Sequence, residues 1–149
     1  MNTGKTLEVL SQSLQDTMQI GEKLGEQLKG GEVIELIGDV GSGKTVFTKG
    51  LAKGAGSPDN VASPSFTISR VYSGDIFDIH HFDFYRLSDP GIMMQDIAEV
   101  AGDENRVVVV EWSDIIQDVL PENRYVVSIQ ATGDETRKLS ITFPVQDSE

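Results

Sequence analysis

The residues of this chain best equipped for chemistry are nearly contiguous. Gly38, Gly41, Gly43, Lys44 and Thr45 fall in the spacing GxxxxGK[ST], directly after the apolar run Val33-Ile34-Glu35-Leu36-Ile37. This is the pattern of a phosphate-binding loop. Glycines let the backbone turn tightly and bring its N–H groups against an anion, where a Cβ would obstruct. Lys44 adds a point charge for the outer phosphates of a nucleoside triphosphate, and the Thr45 hydroxyl can ligate the Mg²⁺ that bridges them. A helix opening at Lys44 would aim its positive dipole end at the same place. A chance Gly-rich strand-to-helix turn is the alternative; the strand–loop–helix setting argues against it. The Lys44 ammonium is read as serving the phosphates rather than the core.

A phosphate loop also needs a carboxylate to help hold Mg²⁺ or its waters, usually at the C-terminal end of a neighbouring strand. Two residues compete. Glu111 follows Val107-Val108-Val109-Val110, the pattern of a buried strand delivering an acid to the sheet edge where ligands bind. Asp83 lies among aromatics in His80-His81-Phe82-Asp83-Phe84-Tyr85-Arg86. Spacing leaves open which touches the metal and which orients water, and either could be a plain strand-end carboxylate. His80 and His81 point to opposite faces of a strand, which excludes a shared metal site; they are read as ordinary strand histidines. Ser63-Pro64-Ser65-Phe66-Thr67 stands where a γ-phosphate-sensing switch loop would lie, or is a simple turn.

These groups require particular elements. Leu7 and Val9 alternate with polar residues, a weak strand signal. Ser13 and Asp16 form a capping-box pattern. Behind it Leu14, Met18, Gly21, Leu24, Gly25 and Leu28 fall on one helical face, which Gly30-Gly31 ends. A strand over 33–37 and a helix from about Lys44 to Ala55 flank the loop. Two β-rich runs, 66–72 and 76–84, surround Ser73-Gly74-Asp75 as an antiparallel hairpin. Asp89-Pro90 opens a helix reaching to about Gly102, and Ser113 caps a short one before Pro121. Tyr125–Gln130 and Lys138–Phe143 read as a closing hairpin. The fold class is α/β: a single P-loop NTPase-type domain over 1–149, its mixed sheet parallel at the core, antiparallel in its hairpins and flanked by helices.

Composition sets limits. With no cysteine there are no disulfides, thiol nucleophiles or Cys-rich zinc sites. No apolar run approaches membrane-spanning length and the N-terminus lacks a signal-peptide core, so a cytoplasmic protein without a membrane partner is expected. A formal charge of −12 opposes autonomous binding to nucleic acid.

The P-loop segment, Ser63-Pro64-Ser65-Phe66-Thr67, His81-Phe82-Asp83-Phe84-Tyr85-Arg86 and Glu111-Trp112 occur in the order of the bacterial TsaE (YjeE) family, which the chain resembles over nearly its whole length. Ser65 departs from the family's more usual Thr but keeps the hydroxyl. The resemblance implies the small ATPase of tRNA threonylcarbamoyladenosine biosynthesis. ATP and Mg²⁺ would bind along Asp39, Val40, Gly41, Ser42, Gly43, Lys44, Thr45 and Val46, with Trp112 near the nucleotide. Catalytic duties would fall to Lys44, Asp83 and Glu111, and metal duties to Thr45, Asp83 and Glu111. It further implies TsaD-like and TsaB-like partners, of which the TsaD-like one performs the transfer chemistry, and through which alone tRNA is engaged.

Two other classes stay open on the residues themselves. A small-molecule P-loop kinase would bring several arginines and a lid, whereas this chain has only Arg70, Arg86, Arg106, Arg124 and Arg137. None is an obvious arginine finger within the P-loop region, and Arg86 is no more than a candidate. A non-catalytic module switched by ATP occupancy would need the loop but not the acids. A GTPase is disfavoured because no NKxD-type guanine-reading motif follows the loop.

Overall fold

The computed structural model describes residues 5–38, 43–57, 69–74, 76–83, 97, 99–101, 103–111, 120 and 123–144. The expected switch loop at Ser63–Thr67, the helices opening at Asp89-Pro90 and Ser113, and the residues Asp39, Val40, Gly41, Ser42, Arg86 and Trp112 lie outside them, apart from the C-terminal end of the first of those helices near Val100.

Seven strands and two helices are described: β1 (Thr6–Ser11), α1 (Leu14–Gln27), β2 (Val33–Ile37), α2 (Lys44–Gly54), β3 (Ser69–Tyr72), β4 (Asp78–Asp83), β5 (Arg106–Glu111), β6 (Tyr125–Ala131) and β7 (Arg137–Thr142). They form one sheet of order β1-β7-β6-β2-β5-β4-β3. Strands β6, β2, β5 and β4 run parallel, while β1–β7, β7–β6 and β3–β4 are antiparallel. The expected mixed sheet is therefore present, with both hairpins in place.

Strand alternation divides the sheet into two faces. Ile34, Leu36, Ile79, Val107, Val109, Val127, Ile129, Leu139 and Ile141 point toward α1 and α2, where they pack with Leu24, Leu28, Phe47 and Leu51. Val33, Phe82, Val108 and Val110 point the other way, against Ile97, Val100 and Leu120. The apolar run Val107–Val110 of β5 is accordingly buried on both sides. Glu35 on β2 is the acidic intrusion. Its buried carboxylate accepts from Arg124 Nε at 2.9 Å, which compensates the charge.

Helix α1 begins as its sequence requires. Ser13 is the N-cap and its side chain accepts from the Asp16 N–H at 3.1 Å. Asp16 Oδ2 reaches back to the Gln12 N–H, one residue before the position a strict capping box would use. The helix breaks before Gly30 and Gly31, both at positive φ. Its buried face is Thr17, Gly21, Leu24 and Gly25. Leu14, expected on that face, is exposed. Thr17 takes the inward position, its hydroxyl 2.7 Å from Ser11 Oγ.

The two helices meet backbone to backbone through glycines spaced four apart on each. A Cβ on Gly21 would lie 2.3 Å from the Phe47 carbonyl oxygen, and one on Gly25 2.1 Å from that of Leu51. Reciprocally, Gly50 would clash with the Met18 oxygen and Gly54 with that of Glu22. Glycine is unfavourable inside a helix, so its presence at four such positions reflects the close approach. The P-loop helix α2 is thereby pressed against α1.

Candidate functional site

The site lies where the C-terminal ends of β2, β4 and β5 meet the N-terminus of α2. In a parallel sheet this end carries the ligand crevice. Gly43 is the N-cap of α2 with φ 106°, a left-handed conformation that suits glycine and strains other residues. Lys44 follows in the first turn. Its side chain is almost fully buried, and Nζ donates to the Gly38 carbonyl at 2.6 Å, closing the loop on itself. Nζ also stands 3.8 Å from Glu111 Oε1. An ammonium expected to serve phosphates alone is thus, in this state, also part of the interior. Thr45 and Val46 occupy the same first turn, half-buried.

Both expected acids reach this edge. Asp83 and Glu111 are register partners at the ends of β4 and β5, and alternation places both side chains on the α2 face. Glu111 is the more enclosed: it is 3% exposed, with Lys44 near one oxygen and His81 Nε2 2.5 Å from the other. Asp83 is half-buried beside it. Among the described residues no group of three or more His, Asp or Glu could hold a metal by itself. Two carboxylates and a threonine hydroxyl are oxygen donors of the kind that could hold Mg²⁺ were phosphates and waters to supply the remaining ligands.

The histidine pair needs correction. The side chains do diverge to opposite faces, as a strand demands, but His81 is no ordinary strand residue. It is fully buried, with Nδ1 3.0 Å from Tyr72 Oη and Nε2 on Glu111. His80, on the far face, is the plainer of the two; burial, and then the Arg106 guanidinium, hold its imidazole below the usual 6.5, against smaller opposing effects of Asp78 and Asp103.

Sequence reasoning also missed Arg137. Its guanidinium lies against the loop, with Nε 3.4 Å from where a Cβ on Gly43 would stand. Nη1 donates to the carbonyls of Gly133, Asp134 and Thr136 at 3.1, 3.3 and 2.8 Å, so the β6–β7 turn fixes the cation there. A charged residue at the start of an otherwise alternating strand was the available signal. Its proximity to the loop depends on the placement of β6 beside β2, which pattern alone does not give.

Comparisons with known proteins bear on the chain as a whole. A family model described as "Threonylcarbamoyl adenosine biosynthesis protein TsaE" matches residues 11–139. Proteins named tRNA threonylcarbamoyladenosine biosynthesis protein TsaE are similar throughout. The one from Bacillus subtilis is 35% identical across 86% of this chain and 80% of its own. That of Treponema pallidum is 33% identical across 91% and 99%, and that of Aquifex aeolicus 38% across 82% and 94%. The crystal structure of Bacillus subtilis YdiB superposes with a TM-score of 0.80 at 30% identity, covering 97% of this chain and 90% of that one. The fold is of the P-loop NTPase type. The family model spans most of the chain and relatives of 33% identity and more cover most of it, so the chain belongs to the TsaE family.

Proposed function

We propose that this chain binds ATP with Mg²⁺ in its P-loop and hydrolyses it as the ATPase subunit of tRNA threonylcarbamoyladenosine biosynthesis. The observation that carries the reading is the convergence of Lys44 with Glu111 at 3.8 Å, and of Glu111 with its register partner Asp83, at the mouth of the loop. Membership of the TsaE family favours this reading over a kinase, which would also call on carboxylates for Mg²⁺ and its acceptor hydroxyl.

The chain's own groups divide the work. Loop amides from Asp39 to Val46 and the Lys44 ammonium bind the phosphates, with the helix dipole of α2 behind them. Thr45, Asp83 and Glu111 are the residues that would hold Mg²⁺, which would supply positive charge to offset that of the phosphates. Whichever carboxylate is not on the metal orients the attacking water. Trp112, next in sequence to Glu111, lies near the nucleotide in this reading.

TsaD-like and TsaB-like partners would hold the tRNA, and the TsaD-like one would transfer the threonylcarbamoyl group, which suits a subunit of charge −12. No helix of the described residues is long and apolar enough to cross a membrane, in keeping with a cytoplasmic role. The test is partner-stimulated ATPase for wild type, Asp83→Ala and Glu111→Ala, with melting temperatures alongside. Turnover should fall by orders of magnitude in both variants while nucleotide is still held. Near-wild-type turnover in two well-folded variants, or no stimulation by a partner complex shown to bind, would overturn the proposal.

A further inference from the structure

Four side chains from four elements stand in line at the edge of the nucleotide site. Tyr72 ends β3, His81 lies within β4, Glu111 ends β5 and Lys44 opens α2. Tyr72 is opposite Ile79 in register, so its contact with His81 is the diagonal step along the same face. His81 is opposite Val109, so Glu111 is again one diagonal step further. The Tyr72 and His81 rings lie 5.8 Å apart at 49°, and both side chains are buried.

Hydrogen-bond chemistry gives this line a direction. A carboxylate only accepts, so the hydrogen between His81 and Glu111 sits on Nε2. In the neutral imidazole Nδ1 is then an acceptor, and the Tyr72 hydroxyl donates to it. Glu111 thereby sets the tautomer of His81, Tyr72 holds the other ring nitrogen, and His81 holds one oxygen of Glu111. The other Glu111 oxygen is left turned toward Lys44 and the mouth of the loop. Partners one shell out commonly orient the carboxylates and imidazoles that serve a metal.

We propose that His81 and Tyr72 are positioning residues of the nucleotide site, holding Glu111 in the orientation that Mg²⁺-dependent ATP binding and turnover require. This rests on the reading of Glu111 as part of the metal–water end of the site. A buried polar chain that merely knits β3, β4 and β5 together would contribute to stability and nothing else.

The experiment uses the full chain as wild type, Glu111→Gln, His81→Leu, His81→Gln and Tyr72→Phe. For each, melting temperature, ATP affinity with Mg²⁺ and with EDTA, and the Mg²⁺ concentration at half-maximal turnover are measured. His81→Leu should raise the Mg²⁺ requirement and depress turnover by roughly tenfold or more, as other lost outer partners do, with metal-free ATP affinity unchanged. Tyr72→Phe should move the same quantities in the same direction by less. His81→Gln, whose amide can donate near the position of Nε2, should recover much of the loss. Variants that shift only the melting temperature, with Mg²⁺ requirement and turnover per folded molecule as in wild type, would overturn the inference. Should His81→Leu fail to fold, Tyr72→Phe, which removes one oxygen, decides the matter alone. If Glu111→Gln itself leaves the Mg²⁺ dependence untouched, the underlying reading of Glu111 fails instead.

Discussion

Lys44 has two tasks that pull in different directions. It waits buried between the Gly38 carbonyl and Glu111, and it must offer its charge to phosphate. Lys44→Ala should therefore lower ATP affinity by about ten- to a hundredfold, the scale of one charged hydrogen bond. It should also lower stability by about 1–3 kcal/mol, because a buried carboxylate loses a partner. Calorimetric titration and thermal melts of the same sample check both; unchanged affinity would remove the phosphates from this loop. His80 makes a second residue-scale prediction. Its folded pKa lies below the unfolded 6.5, so the unfolded chain binds more protons between the two values. The stability linked to His80 is full above about pH 6.5 and is lost as pH falls toward the folded value. Urea titrations should show His80→Asn losing less stability than wild type between about pH 7 and pH 5. Parallel curves would contradict it. Lys44, Thr45, Asp83 and Glu111 were legible because a motif or a strand end announces each within a few residues. The partnership of His81 with Glu111, thirty positions away, was not, because it exists only once β4 lies beside β5 in one particular register.

Helix boundaries, hairpins and the parallel core were readable from periodicity, caps and turn residues. What those signals could not supply was which element lies against which. Gly21 and Gly25 were read as part of an apolar face of α1, yet a glycine offers little apolar surface. Their reason emerges only when α2 brings Gly50 and Gly54 against the same line of backbone. Gly50→Ala tests this. Alanine favours a helix by up to about 1 kcal/mol over glycine, so a surface position would be stabilised. Here the new Cβ would meet the Met18 carbonyl oxygen, and rigid backbone must move. A net loss of roughly 1–3 kcal/mol is expected, a fall of a few to about ten degrees in Tm. Nucleotide affinity should weaken with it, because α2 carries Lys44 and Thr45 at its first turn. A melting temperature equal to or above that of wild type would mean that the two helices have room to part.

At the scale of the whole molecule, charge sets the manner of association. With 24 acidic residues against 12 basic ones, the chain repels a phosphate backbone except where an organised loop gathers amides and a lysine. The isolated protein should give no gel shift with tRNA near physiological ionic strength, and a shift that weakens with added salt would refute the assignment of RNA binding to its partners. The connectivity of the sheet sets something else, the order in which the chain can assemble. Among the described strands β1 is the first in sequence, but its one strand neighbour is β7, the last. Between them on the ribosome come the P-loop, both acids and every other strand. α1 can dock on α2 early, through their glycines, while the strand just before it has nowhere to go. β1 can therefore join the sheet only where β7 is already in place to receive it, a pairing of residues more than a hundred positions apart.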